Sequence, residues 1–246
     1  MRVKAVIAYD GSAFFGFQSQ KTTSKTVSGA LHKAMERLGI DSHPVGSGRT
    51  DRGVHATGQV IHFDIPAHWQ NDLPRLRVVL NRLLEPHIQF KHIALTDDSF
   101  HARFDARRRI YRYVVKKMPV TPFEAPYCRY LPRLEEKSLL KALRLFEGEH
   151  DFIHFHKRGS DPLSTVRTIY RTGLYRFGGY TILFFEANGF LRAQVRMMVE
   201  SSVMVMAGEL SPDEVKRQLD GERLFTIPPA PPQGLYLSRV IYRAGS

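Results

Sequence analysis

Four glycines, Gly46, Gly48, Gly53 and Gly58, fall within thirteen residues and bracket the run Arg49-Thr50-Asp51-Arg52. Such a density of residues free to adopt positive φ demands a tight turn. Residues 54–63 are rich in β-formers, so the turn feeds a strand. Asp51 therefore belongs in a loop entering a strand, with an arginine on either side. A carboxylate held beside guanidinium groups stays ionised and is aimed by charge-assisted hydrogen bonds, as a nucleophile or base must be. Taken alone, a surface turn with an Asx hydrogen bond and solvated arginines is the commoner reading of such a segment.

The flanking sequence alternates strand and helix patterns. Residues 3–9 read as a strand ending at Asp10-Gly11, and 27–38 place Val27, Leu31, Ala34, Met35 and Leu38 on one helical face. Leu76, Val79, Leu80 and Leu83 mark a second helix closed by Pro86, followed by strands over 87–95 and 110–117. Residues 118–127 contain three prolines and read as a connection. A third helix over 138–146 stops at Gly148, and 166–177 with 180–186 form a hairpin about Gly178-Gly179. Residues 190–207 predict a long apolar helix. Ser211 then caps a short one with Pro212 in its first turn, and 235–242 is the last strand. Strands joined by hairpins and long loops favour an α+β fold over a doubly wound parallel sheet.

Composition narrows the function classes. A chain with 43% hydrophobic and 24% charged residues is that of a soluble globular protein, and no apolar run approaches a membrane span. The first residues lead into strand-like sequence with no signal-peptide core, and Cys128 is the single cysteine. A reducing, cytoplasmic setting is the expectation. The net charge of +12 favours a polyanionic partner. Its arginines alternate with rings, as in Arg109-Ile110-Tyr111-Arg112-Tyr113, which suits a folded surface that contacts phosphates and stacks bases. A basic strand with a solvated face has the same pattern.

Other chemistries fit less well. Residues 46–51 lack the spacing of a dinucleotide fingerprint and the Gly-Lys-Ser/Thr of a P-loop. His150, Asp151, His154 and His156 are metal-ligand types, and on a strand 150, 154 and 156 share a face. Histidines without a clear outer shell are more often surface or RNA contacts, so no metal is expected. Asp10 and Asp64 carry no motif that would make a glycosidase pair with Asp51, and no Gly-x-Ser-x-Gly elbow occurs. Arg196, among Val195, Met197, Met198 and Val199, either snorkels at a helix edge or awaits an acid, for which Asp51 is a candidate.

Eight ordered blocks then resemble one family over nearly the whole length. They are Tyr9-Asp10-Gly11-Ser12 through Phe15-Gly16-Phe17-Gln18-Ser19-Gln20, residues 48–56, residues 100–106 and residues 109–113. His150-Asp151-Phe152, Val166-Arg167-Thr168-Ile169, Gly189-Phe190-Leu191 with Arg196, and residues 230–237 complete the set. The chain resembles the TruA-type tRNA pseudouridine synthases. Phe17 stands where that family commonly has tryptophan, and Arg192-Ala193-Gln194 replaces its usual Tyr-His-Met.

The resemblance implies two similar α/β subdomains, 1–104 and 105–246, whose antiparallel sheets join into one platform with the active cleft between them. It implies a homodimer that grips tRNA, and a reaction without cofactor or metal. Asp51 resembles the catalytic aspartate, Tyr111 the ring that stacks on the target uracil, and Arg196 the arginine paired with Asp51. Arg49 resembles the side chain that helps extrude the base, and Leu237 the apolar residue closing the pocket. Phe100, His101, Arg103 and Phe104, with Lys157 and Arg158, resemble tRNA-contacting segments. The implied substrate is uridine of the anticodon stem-loop. A non-catalytic RNA-binding protein and an Asp51-dependent hydrolase are the rival readings.

Overall fold

Along Arg2–Tyr9 (β1) every second side chain is buried, so Val3, Ala5, Ile7 and Tyr9 face the core while their neighbours face outward. The computed structural model describes residues 1–20, 23–157, 159, 163–225 and 228–243. These fall into two compact units, Met1–Arg107 with Leu237–Ser246, and Arg108–Tyr236.

In the first unit β1 is followed by α1 (Val27–Glu36), β2 (Val45–Gly46), β3 (His55–Asp64), α2 (Leu73–Leu84) and β4 (Ile88–Leu95). β1 lies between β3 and β4 and is antiparallel to both, with Val6 opposite Val60 on one side and His92 on the other. β2 pairs with β3 at Val45↔His62 and Gly46↔Ile61. α1 buries Val27, Leu31, Ala34 and Met35 of the expected stripe and ends at Glu36, before Leu38; α2 buries Leu76, Leu80 and Leu84. Both helices start where a side chain satisfies an orphan amide: Thr26 accepts from Gly29 N, and Asp72 from Arg75 N.

In the second unit come β5 (Arg108–Lys116), β6 (Arg129–Tyr130), α3 (Glu136–Arg144), β7 (Gly148–Asp151), β8 (Val166–Phe177), β9 (Tyr180–Ala187), α4 (Gln194–Ala207) and α5 (Pro212–Leu219). The sheet order is β5-β9-β8-β7, antiparallel throughout, with β6 running parallel beside β5. The β8–β9 hairpin turns on Gly178 and Gly179, both at positive φ, as a two-residue loop with the sheet's own twist requires. α3 packs on α4 and β8. Phe155 meets Phe146 and Phe152 edge to face, and all three are fully buried. Both units are thus antiparallel sheets with helices packed on them, the α+β class expected from the sequence.

The helix expected from residue 190 begins at Gln194 instead. Ala193 adopts φ 60, a left-handed conformation that ends any helical run before it. α5 starts as expected: Ser211 and Glu214 exchange bonds in a capping box, with Pro212 in the first turn. The last strand, β10 (Leu235–Ile241), re-enters the first unit from Leu237 onward. There the carbonyl of Ser238 passes so close to Gly58 that a Cβ on that glycine would lie 2.3 Å from it.

Candidate active-site loop

Asp51 lies in the loop between β2 and β3, half-buried, with Thr50 buried before it and Arg49 and Arg52 exposed. Hydrogen bonds close to the chain hold both ends of this loop. Val54 N donates to Asp51 O at 3.1 Å, and Gly53 takes φ 77 inside that turn, which is why a glycine stands there. Ser47 N donates to Val60 O at 2.8 Å, Ser47 Oγ to Gln59 Oε1 at 2.6 Å, and Gln59 Nε2 to Gly48 O at 2.8 Å. Ser47 and Gln59 are buried, so these bonds are sheltered from water.

The segment after β1 braces the loop from its other side. Tyr9 Oη and Thr50 Oγ1 are 2.9 Å apart and buried, and Phe17 N donates to Thr50 O at 3.1 Å. Gly11 N donates to His55 Nδ1 at 3.0 Å. Asp10 Oδ1 lies 3.3 Å from the same nitrogen. Asp10 Oδ1 also accepts from Ser12 N at 2.9 Å and Ser12 Oγ at 2.6 Å. The backbone approach is close: a Cβ on Gly11 would lie 2.0 Å from Val54 O, and one on Gly16 2.9 Å from Thr50 O. The Arg52 guanidinium lies over the Phe15 ring, 4.4 Å from its centre.

A tRNA pseudouridine synthase family profile matches residues 5–105 and 142–243, which takes in this loop, its brace and most of the second unit. The chain belongs to this family. A tRNA pseudouridine synthase A of Helicobacter hepaticus is 43% identical over 245 residues, 98% of each chain. Relatives of the same name from Wolinella succinogenes and Campylobacter jejuni are 40% and 38% identical over 240 and 242 residues, covering 98% of this chain and 94% and 100% of theirs. The family is one of isomerases that modify tRNA.

The other residues singled out by the synthase resemblance are held in different ways. Tyr111, on β5, is buried and meets Phe190 edge to face with ring centres 5.2 Å apart. Arg196, on the first turns of α4, is half-buried; its Nε donates to Ala230 O at 2.6 Å, while Ala230 N returns a bond to Arg196 O at 3.0 Å. Arg192 is exposed. Leu237 is fully buried in β10. Lys157 is exposed, with its N–H donating to Arg192 O at 3.0 Å. Arg158 lies outside the described residues.

Residues 100–105 form a turn anchored by burial at one end. Phe100 is buried against Tyr242, ring centres 5.2 Å apart, beneath the Lys4 ammonium. Arg103 and Phe104 are exposed, Phe104 by 75%. His101 stacks on Phe104 at 4.2 Å, and its Nδ1 faces the amides of Arg103 and Phe104 at 3.2 and 3.3 Å. Beneath them, buried His62 accepts from Ala102 N at 3.1 Å through Nδ1. Burial holds the His62 pKa down to about 4, and the positive charge of Arg2 pushes the same way. A neutral imidazole thus keeps its acceptor for the turn at ordinary pH.

His150, His154 and His156 do not share a strand face, because β7 ends at Asp151. Each imidazole donates to a backbone carbonyl instead: His150 to Glu147 O at 3.0 Å, His154 to Gly221 O at 2.9 Å and His156 to Ile153 O at 3.0 Å. Tyr9, His55, Gln59 and His62, for which the sequence suggested no role, are buried polar groups with dedicated partners.

Proposed function

We propose that this synthase isomerises uridines in the anticodon stem-loop of tRNA to pseudouridine, with Asp51 as the catalytic residue. What carries the reading is the aspartate's position in a braced, half-buried turn of a chain belonging to this family. The reaction breaks the N1–C1′ bond, forms a C5–C1′ bond, releases the C5 proton and returns a proton to N1. Nothing is gained or lost overall, so the chemistry asks for an ionised group beside C1′ and the base rather than for a redox partner. Asp51 serves by attacking carbon or by taking a proton.

In this reading Tyr111 stacks on the uracil, offsetting the few kcal/mol that unstacking costs. Arg49 helps extrude the base, Leu237 closes the pocket, and Arg196 keeps Asp51 charged and oriented. Phe100 anchors a tRNA-contacting turn whose outward members are His101, Arg103 and Phe104; Lys157 and Arg158 make a second contact. The enzyme works as a cytoplasmic homodimer. The +12 charge supports a surface that reads tRNA by shape and backbone.

The test is unmodified tRNA incubated with the protein alone and its nucleosides then analysed by mass spectrometry, with a label at C5. Pseudouridine and C5 label release are expected from the native chain, and neither from Asp51→Asn, which still binds tRNA. Turnover by Asp51→Asn overturns the catalytic assignment. Free uracil or cut RNA indicates a hydrolase, and unchanged RNA a binding protein.

A further inference from the structure

Ile153 and Leu224 are apolar side chains left 48% and 41% exposed, and both line one pocket of about 280 Å³ in the second unit. Its apolar lining is completed by Ala193, Met197 from the first turns of α4, and Pro229. His154 and His156 give it a polar side and Lys157 a cationic one. Exposed apolar groups gathered around a concavity, with a few polar groups converging on it, mark a binding site more than a solvated surface. At this volume the pocket falls near the small end of the roughly 300–1,000 Å³ typical of ligand sites, a size for one flat base and its sugar.

The walls are built, not incidental. Gln218, fully buried, donates from Nε2 to His154 O at 3.0 Å and accepts at Oε1 from Phe225 N at 2.8 Å, tying the two loops together. Lys157 N bonds to Arg192 O, which fixes the cationic side to the chain leading into α4. The imidazoles are oriented by their carbonyl partners. His156 donates through Nδ1 to Ile153 O, so its Nε2 remains for a ligand; His154 donates through Nε2 to Gly221 O, which leaves Nδ1. Next to Leu224, the Phe225 ring lies under Arg217, which is paired with Glu222 at 2.7 Å, and under Arg223, at 5.6 and 5.4 Å.

We propose that this pocket is a second nucleotide subsite: it takes one nucleotide of the RNA other than the uridine being isomerised. The base lies against Met197, Leu224, Ile153 and Pro229, the phosphate meets the Lys157 ammonium, and His156 Nε2 accepts from a sugar hydroxyl or base N–H. An apolar slot with a cationic side matches a molecule that is a flat ring at one end and an anion at the other. The source of the nucleotide, tRNA, rests on the function proposed above; the chemistry of the pocket does not.

The full chain is titrated with uridine 5′-monophosphate, uridine and inorganic phosphate by ligand-observed NMR, and its steady-state kinetics are measured on tRNA. Leu224→Trp, at an exposed position, fills the slot, and Val78→Trp, on exposed α2, is the control for an added indole. The monophosphate is expected to bind saturably and more tightly than uridine or phosphate. Leu224→Trp should abolish a Val78→Trp-insensitive fraction of that binding and lower kcat/KM for tRNA about tenfold, through KM. Equal monophosphate binding and equal kcat/KM in native and Leu224→Trp chains overturn the subsite while pseudouridine formation stands. Leu224-dependent monophosphate binding in a chain that makes no pseudouridine keeps the subsite and removes the proposed function.

Discussion

The phenolic oxygen of Tyr9 lies 2.9 Å from the hydroxyl of Thr50, out of contact with water, and joins the end of β1 to the residue preceding Asp51. A buried hydrogen bond is worth about 1 kcal/mol net, and leaving one partner unmet costs about 1–3 kcal/mol. Tyr9→Phe should therefore lower stability by about 1–2 kcal/mol, read by denaturant unfolding. If the contact positions Asp51, kcat falls about tenfold with tRNA affinity little changed, because small misplacements of reacting groups are costly. A loss of stability without a loss in kcat assigns Tyr9 to folding alone.

Gly11 and Val54 give a steric prediction. The Cβ of an alanine at 11 would sit 2.0 Å from the Val54 carbonyl oxygen, and backbone, unlike a flexible side chain, has nowhere to go. Gly11→Ala should cost about 1–3 kcal/mol and displace the turn that carries Asp51. At Gly189 the nearest atoms are those of the Arg167 side chain, 3.6 Å away, so Gly189→Ala costs far less stability. Thermal unfolding of the two variants checks the order.

His62 makes stability depend on pH. Its folded value of about 4 lies below the ordinary 6.5, so between these values the unfolded chain binds a proton that the folded chain refuses. Stability should be intact above pH 6.5, fall as pH drops toward 4, and lose no more from this group below that. The loss is on the order of 2 kcal/mol. Urea unfolding from pH 7 to 4 measures it, and His62→Phe should flatten that part of the slope.

Charge predicts how tRNA affinity responds to salt. With a net charge of +12, binding through phosphates releases counterions, and affinity should fall by at least about a hundredfold between ~50 and ~200 mM salt. Arg103→Ala should reduce the slope of log affinity against log salt by about one, as expected for one phosphate contact. Phe104→Ala, which removes an exposed ring, should weaken binding with the slope unchanged. Filter binding across a salt series separates the two.

Much of the second unit was legible in advance because its signals are local. The Gly178-Gly179 turn, the Ser211 cap and the helix α3 each depend on residues within a few positions, and each stands within two residues of where its pattern put it. The start of α4 was not, since nothing in the sequence of Ala193 announces a left-handed residue. Nor was the burial of His62 and Gln59, whose partners lie 40 and 11–12 residues away.

The amino-acid order on its own determined the glycine-rich turn leading into β3, the alternation of strands and helices and the membership of the family, because each is carried by residue type and spacing. Only the folded chain decided that Arg52 rests on Phe15, that Val54 O closes on Gly11, and that Leu237–Ile241 returns to the first unit. It also decided that His154, His156 and Lys157 gather around a pocket with Met197 and Leu224. Such neighbours are chosen by packing between distant segments, where excluded volume and the need to pair every buried polar group leave one arrangement among many that local preference would allow.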